Sequence, residues 1–401
     1  MPSLIIRDVR IFDGETCADN SSLWIQDGVI KAVGGSFEDA DAEVLSMPGH
    51  TLLPGLIDAH CHPYGDVKLP KQSFRFGITT IVDMHNTHEN AVQQKKWSQQ
   101  RKDFPDVKSA HYAATIHGGW PAYVEMKLSN NEHATFDQYP NVNTEEAASS
   151  FVEQAATNGT DFIKLMHEGG RAIGIPEGVL AQPTLAVQAA VVREAHERGM
   201  KVVAHALAQR DTIDVLRAGV DGLAHTFFDE PISPEVIDLY RHNDAWVIPT
   251  TLCAGTLTGE SLEIVERFCK DDRVRSKISP EQAQLAHGCL HMKSAGASGS
   301  DAAAGAPGLP FGASLLIEMY LLVTKAGMTP IEVLRSATSI TADCFGWPDR
   351  GRLAVGLKAD MLLVAGNPLN DITKLLDVRG IWRDGVKFDS HEGFSRARIT
   401  A

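Results

Sequence analysis

Residues 54–62 read Pro-Gly-Leu-Ile-Asp-Ala-His-Cys-His, an apolar run that closes on two imidazoles two positions apart. In an extended chain alternate side chains share a face, so His60 and His62 point the same way and Cys61 points the other. Two imidazoles on one face can hold a single borderline metal. Taken alone, a His-x-His pair serves equally well as the polar end of an ordinary strand, so its meaning depends on what the rest of the chain repeats.

The same arrangement recurs downstream. KVVAHA (201–206) ends its apolar run on His205 and DGLAHT (221–226) on His225, with a segment of helix length between them. DFIKLM (161–166) carries Lys164 in the middle of an apolar strand, where an unpaired ammonium is costly to bury, and ASGSD (297–301) closes on Asp301. Each group has a plain structural reading: a hydrogen-bonded histidine, a lysine snorkelling from a strand end or paired with a carboxylate, an aspartate in a turn or helix cap. Strand-like runs at 52–60, 78–84, 110–116, 161–166, 201–205, 222–225, 246–250 and 297–301 alternate with helical patterns such as EEAASSFVEQAATNG and LAVQAAVVREAHERG, both ending at Gly as helix C-caps do. That alternation is the mark of parallel βαβ units, and eight of them predict a closed (β/α)8 TIM barrel of α/β class. The singled-out groups then fall on strands one, four, five, six and eight, at the barrel edge where catalytic residues collect. One site becomes a simpler explanation than five coincidences. Two imidazoles and Asp301 suit one metal, two imidazoles suit the other, and a carbamate on Lys164 with a shared water joins them.

Outside this core, LIIRDVRIFDG and SLWIQDGVIKAVGG near the start, and ADMLLVAGNP and RGIWRDGVKF near the finish, read as hairpin strands. They predict a small β-sandwich domain built from both chain termini, residues 1–52 and 349–401, around a barrel at 53–348. The stretch 118–144, rich in Asn, Gly and Pro, has no clear period and reads as a long loop or lid after strand three. The apolar run 315–323 carries Glu318 at its centre and reads as a buried helix rather than a membrane span. A length of 401 residues fits one large core with a satellite, and 43% hydrophobic with 22% charged residues fits a globular chain. The net charge of −14 argues against nucleic acid or an anionic membrane surface and leaves a small-molecule substrate as the expectation. The six cysteines form no CxxC pair, and the first residues show no basic segment followed by a long apolar one, so a reducing, cytoplasmic setting is expected.

These motifs resemble the amidohydrolase superfamily over nearly the whole chain. PGLIDAHCH looks like its strand-one metal motif, VVAHA and GLAHT match its strand-five and strand-six ligands, and SGSD its strand-eight aspartate. IKLM followed by EGG resembles the carboxylated-lysine strand of the branch that holds imidazolonepropionase-related Xaa-Pro dipeptidases and ochratoxinase. MTPIEVLRSATSITADCFGW and GRLAVGLKADMLLV are similar to that family's C-terminal helix pair and its return into the β domain. The resemblance implies two divalent metals, zinc by preference, held by His60, His62, Lys164, His205, His225 and Asp301 with Lys164 carboxylated. It implies hydrolysis of a peptide-like or N-acyl amino acid amide by a metal-bridging hydroxide, with Asp301 as general base and then acid, and a homo-oligomeric assembly.

The chain departs from the branch where substrate is chosen. The order after strand three is His117-Gly118-Gly119-Trp120 rather than Gly-Gly-His, and His167 and Glu168 stand where small residues are usual. Ala208 occupies the position of the glutamate that the deaminases carry, which disfavours deamination. His85, His117, Trp120, His167 and Arg171 all follow predicted strands and are candidate substrate contacts, Arg171 as a clamp for a carboxylate. A decarboxylase or other lyase acting on a small carboxylic acid, and a lactone or cyclic-amide hydrolase, are the competing activities. A silent scaffold that has lost its ligands is disfavoured, since all six expected ligands are present.

Overall fold

The computed structural model describes residues 3–122, 139–285, 302–303 and 309–388. Strands β1 (Leu4–Phe12), β2 (Cys17–Gln26), β3 (Val29–Val33), β4 (Glu43–Ser46) and β5 (His50–Pro54) share one sheet with β14 (Met361–Ala365), β15 (Val378–Arg383) and β16 (Val386–Phe388). The two ends of the chain meet in the antiparallel pair β5–β14, where Leu52 faces Leu363 and Thr51 faces Val364. Period-two alternation then sorts the side chains by face. Ile11, Leu52, Met361 and Leu363 join a cluster with Trp382, whereas Phe12, Leu53, Leu362 and Val364 join a different one with Phe74, Phe76 and Leu316. The sheet is therefore covered on both sides, and its second face is what fastens it to the main body.

The main body is built on parallel strands. β6 (Leu56–His62), β7 (Ile78–Asp83) and β8 (Asp106–Ser109) pair in that order, and β13 (Ala302–Ala303) lies on the other side of β6. β9 (Ile163–Met166), β10 (Val202–His205), β11 (Gly222–Ala224) and β12 (Trp246–Ile248) form a second parallel set. A parallel bridge from Ala114 to Leu165 joins the two sets. The eight strands follow one another as in a TIM-barrel-like α/β fold; among the described residues no ladder links β12 to β13, so the predicted closure of the ring is not seen. The helices Glu145–Thr157, Leu185–Glu197, Gln209–Arg217 and Pro234–Asn243 fall where the sequence predicts them, three of them capped by a Thr or Ser side chain accepting a first-turn N–H. Among the described residues, no helix is long and apolar enough to cross a membrane.

Two strand predictions are corrected. The run 52–60 is not one strand: it divides at Gly55, where the chain passes from the small sheet into β6. A Cβ at Gly55 would lie 2.1 Å from the Thr79 hydroxyl, so only glycine fits the crossing. The third strand is β8 at 106–109 rather than 110–116: the chain turns to φ +52° at His111 and leaves the ladder there, and Ala114 beyond it makes an isolated parallel bridge to Leu165. The apolar stretch after it is buried all the same, which is why its sequence reads as a strand. Residues 297–301 lie outside the described residues, as does most of the long loop 118–144.

The helix Ala313–Thr324 realises the buried apolar run, and its Glu318 is 4% exposed. The Glu318 carboxylate accepts from Thr251 Oγ1 at 2.8 Å and from the Leu252 N–H at 2.9 Å, closing the first turn of the helix Thr251–Thr258. Burial pushes Glu318 up to about 7, with the Thr251 and Leu252 bonds pulling the other way. A carboxyl raised in the folded state favours folding below its unfolded value and loses that contribution as pH climbs through the folded one. Between about pH 4.5 and 7 the chain should therefore lose on the order of 2–3 kcal/mol of stability that Glu318→Gln does not lose. Urea titrations across that range check this, and parallel curves for the two proteins would refute it.

Candidate metal centre

The inward side of each barrel strand is decided by what its neighbours bury. Ile163 and Leu165 pack outward against Val187 and Val191 of the helix Leu185–Glu197, so Lys164 between them faces the barrel interior, where it is 1% exposed. Val202 and Ala204 likewise belong to the outer cluster and Val203 to the inner one, which turns His205 inward at the end of β10. Cys61 sits in the outer core with its thiol on the Val82 carbonyl, opposite to its two histidine neighbours.

The imidazoles meet. His60 Nε2 and His62 Nε2 are 3.1 Å apart, the His60 and His225 rings lie 4.8 Å apart by centroid, and so do those of His205 and His225. His62 Nδ1 is 3.4 Å from the His85 carbonyl, which can only accept, so in the neutral ring Nε2 is the lone-pair nitrogen. Two nitrogens bound to a tetrahedral zinc at about 2.0–2.1 Å stand roughly 3.3 Å apart, close to the separation of the His60 and His62 nitrogens. The donor set, all borderline nitrogen with a buried lysine beside it, fits a zinc-like divalent ion.

His225 is held by a strained corner. It takes φ +82° immediately after β11, and its Nδ1 shares a 2.7 Å hydrogen bond with Thr250 Oγ1. Thr250 itself takes φ +77°, a position a β-branched residue rarely adopts. Its hydroxyl being committed to His225, the following helix takes its cap from Glu318 instead.

The other candidates are scattered. Trp120 stacks on His205, with centroids 4.9 Å apart and planes at 19°. His85 is buried with Nδ1 accepting from the Ala113 N–H, and its ring touches Tyr112 and Tyr139. Burial, then the charges of His62 and Lys164, drive His85 down to about 3, so it stays neutral. His117 is exposed, and its backbone N–H donates to Asn141. The Arg171 side chain is 66% exposed and pairs with Glu230 and, at 3.7 Å, with Asp229. Asp301 lies outside the described residues, though Ala302 and Ala303, which follow it, pair with Cys61 and His62.

His167 is buried in a different group. Its Nε2 lies 3.9 Å from Asp211 and 3.7 Å from Asp214, three donors within 4.8 Å of one another that could hold a metal. The Gln182 amide already spans His167 at 3.3 Å and Asp211 at 3.0 Å, and Gln188 meets His167 Nδ1 at 3.2 Å. Asp211 also accepts from the Gly169 N–H, so this network braces the loop after β9. Burial lowers His167 despite the two carboxylates facing it.

Two residues at the site escape the sequence motifs. Thr250 is one. Glu168 is the other: its Oε2 lies 3.1 Å from His205 Nε2, and burial pushes it up to about 7 against the opposing bonds from the Gly170 and Leu207 N–H groups. The only sequence signal for it is an acid directly after an apolar strand, where small residues are expected.

A family model described as the amidohydrolase family matches residues 51–387. The chain is 23% identical to the enamidase of Eubacterium barkeri over 377 residues, covering 88% of this chain and 83% of that one. It is 25% identical to the ochratoxinase of Aspergillus niger over 238 residues, 57% of this chain and 46% of the relative. Across such curated relatives the match spans anything from 21% to 83% of the relative's own length. The crystal structure of a Xaa-Pro dipeptidase with bound methionine in the active site superposes with a TM-score of 0.72 at 22% identity, covering 96% of this chain and all of that one. At that identity the likeness concerns the fold.

Proposed function

This chain belongs to the amidohydrolase family, a family of hydrolytic enzymes, and on that premise we propose that it cleaves an amide bond of a small peptide-like or N-acyl amino acid substrate. The observation that supports this most is the convergence of His60, His62, His205 and His225 with inward-facing Lys164 at the ends of parallel strands. We propose His60, His62 and Asp301 as the ligands of one divalent metal, His205 and His225 as those of a second, and carboxylated Lys164 as the group between them. Such a pair, zinc by donor chemistry, supplies a water of lowered pKa, from near 16 toward about 7, and polarises the scissile carbonyl.

The chain's own residues do the rest. Asp301 takes the proton of the attacking water and returns it to the leaving nitrogen, acting as base and then as acid. Trp120 and His85 form the walls of the substrate site, a reading supported by the stacking of Trp120 on His205 and by the His85 backbone carbonyl meeting His62. His117 and Arg171 serve at its rim, while His167 holds the loop after β9. Domain limits at 1–52, 53–348 and 349–401, a β-sandwich form of the small domain, closure of the barrel, homo-oligomerisation and a cytoplasmic setting belong to the same proposal.

The test is hydrolysis by zinc-loaded enzyme of dipeptides, N-acyl amino acids, aryl amides and lactones. Turnover of an amide substrate supports the reading. Turnover of lactones alone, or release of carbon dioxide from a small carboxylic acid without amide hydrolysis, overturns it.

A further inference from the structure

Glu168 has no part in the chemistry above, yet its carboxylate is held beside His205 by three contacts. Its side chain has 0% exposure. Oε1 accepts from the Gly170 N–H at 2.7 Å; Oε2 accepts from the Leu207 N–H at 3.1 Å and faces His205 Nε2 at 3.1 Å. Leu207 stands two residues beyond His205, so a single carboxylate ties the loop after β9 to the loop after β10 and holds the imidazole between them. Both Glu168 oxygens accept backbone N–H groups, so the carboxylate meets His205 as an acceptor too, which puts the His205 proton on Nε2 and the lone pair on Nδ1. Trp120 lies flat on the same ring, so His205 is fixed at its edge by Glu168 and on its face by the indole.

We propose that Glu168 is a positioning residue for the metal site: it sets Nδ1 of His205 as the ligand atom, orients the ring and raises its basicity. This rests on the two-metal reading above. An imidazole whose distal N–H meets a carboxylate is a stronger and better aimed ligand, and losing such a partner commonly costs 10–100-fold in metal affinity. Other side chains could fill the same volume, but a neutral one cannot supply the charge. The effect should fall on the metal held by His205 and leave the one held by His60 and His62 alone.

The experiment compares full-length wild type and Glu168→Gln in a competition titration of zinc against a chromophoric chelator, with circular dichroism to confirm the fold. Gln keeps the size and one acceptor oxygen, enough for the Leu207 N–H that ties the two loops but not for the Gly170 N–H as well. Expected is a 10–100-fold weakening at one of two sites, the other unchanged, together with an altered visible spectrum of the cobalt-substituted protein. Two sites of wild-type affinity in the Gln variant, or equal loss at both, overturns the role of Glu168. If Glu168→Gln does not fold, Glu168→Asp in the same titration decides: weakening at one site supports the role, and wild-type affinity at both overturns it. Wild type that binds no zinc would instead overturn the two-metal reading, so the two failures are distinct.

Discussion

Asp301→Asn should lower kcat by about 10²–10⁴-fold or more while most of the bound metal stays in place. Asparagine keeps the volume and one ligating oxygen but cannot take up a proton at neutral pH. If Asp301 draws the proton from the attacking water and hands it to the leaving nitrogen, both halves of the reaction lose their carrier at once. On the two-metal reading the imidazoles of His60 and His62, with Nε2 atoms 3.1 Å apart, would hold their own share of the first metal whatever stands at 301. Steady-state kinetics and metal analysis on one preparation check this. Near-normal turnover in the Asn variant would remove Asp301 from the chemistry.

The second large effect is expected at Lys164. Its side chain is buried inside the barrel, on a strand whose neighbouring positions are apolar, and a bare ammonium there is costly. Carboxylation, on the reading proposed, would replace that cost with an anion between two cations. Lys164→Ala should then drop the metal content from two per chain toward one and reduce kcat/KM by roughly 10³-fold or more, since stabilisation of charge by the paired ions is lost. Metal-free wild type should also recover activity faster in zinc with added bicarbonate than in zinc under carbon-dioxide-free conditions. A Lys164→Ala protein that keeps both metals, or a wild type indifferent to bicarbonate, would remove the bridging carbamate.

The gathering of the histidines was legible because strands of this kind announce themselves. The runs ending at His62, His205 and His225 are apolar, short and terminated by a group that can do chemistry, and the structure brings those three rings and His60 into one row of contacts. Where sequence reading failed, backbone geometry was the cause. The apolar stretch 52–60 looks continuous because both of its halves are buried, and the change of sheet at Gly55 depends on Thr79, which lies further along the chain. The stretch 110–116 is as buried as a strand, but the left-handed turn at His111 ends the ladder before it. Glu168, noted only as a departure from the usual small residue, and Thr250 escaped a role for another reason. Each acts by a single hydrogen bond to a histidine from a different loop, and no periodicity or spacing records such a contact. Arg171, expected from its position after β9 to clamp a carboxylate, pairs with Glu230 and Asp229 on the loop after β11, contacts that spacing along the chain does not record.

The amount of metal bound per chain is the most direct test of the two-metal hydrolase. Protein reconstituted with zinc, passed through a desalting column and measured by atomic emission should hold close to two equivalents and be active against an amide. A saturating value of one or none in folded protein would contradict it.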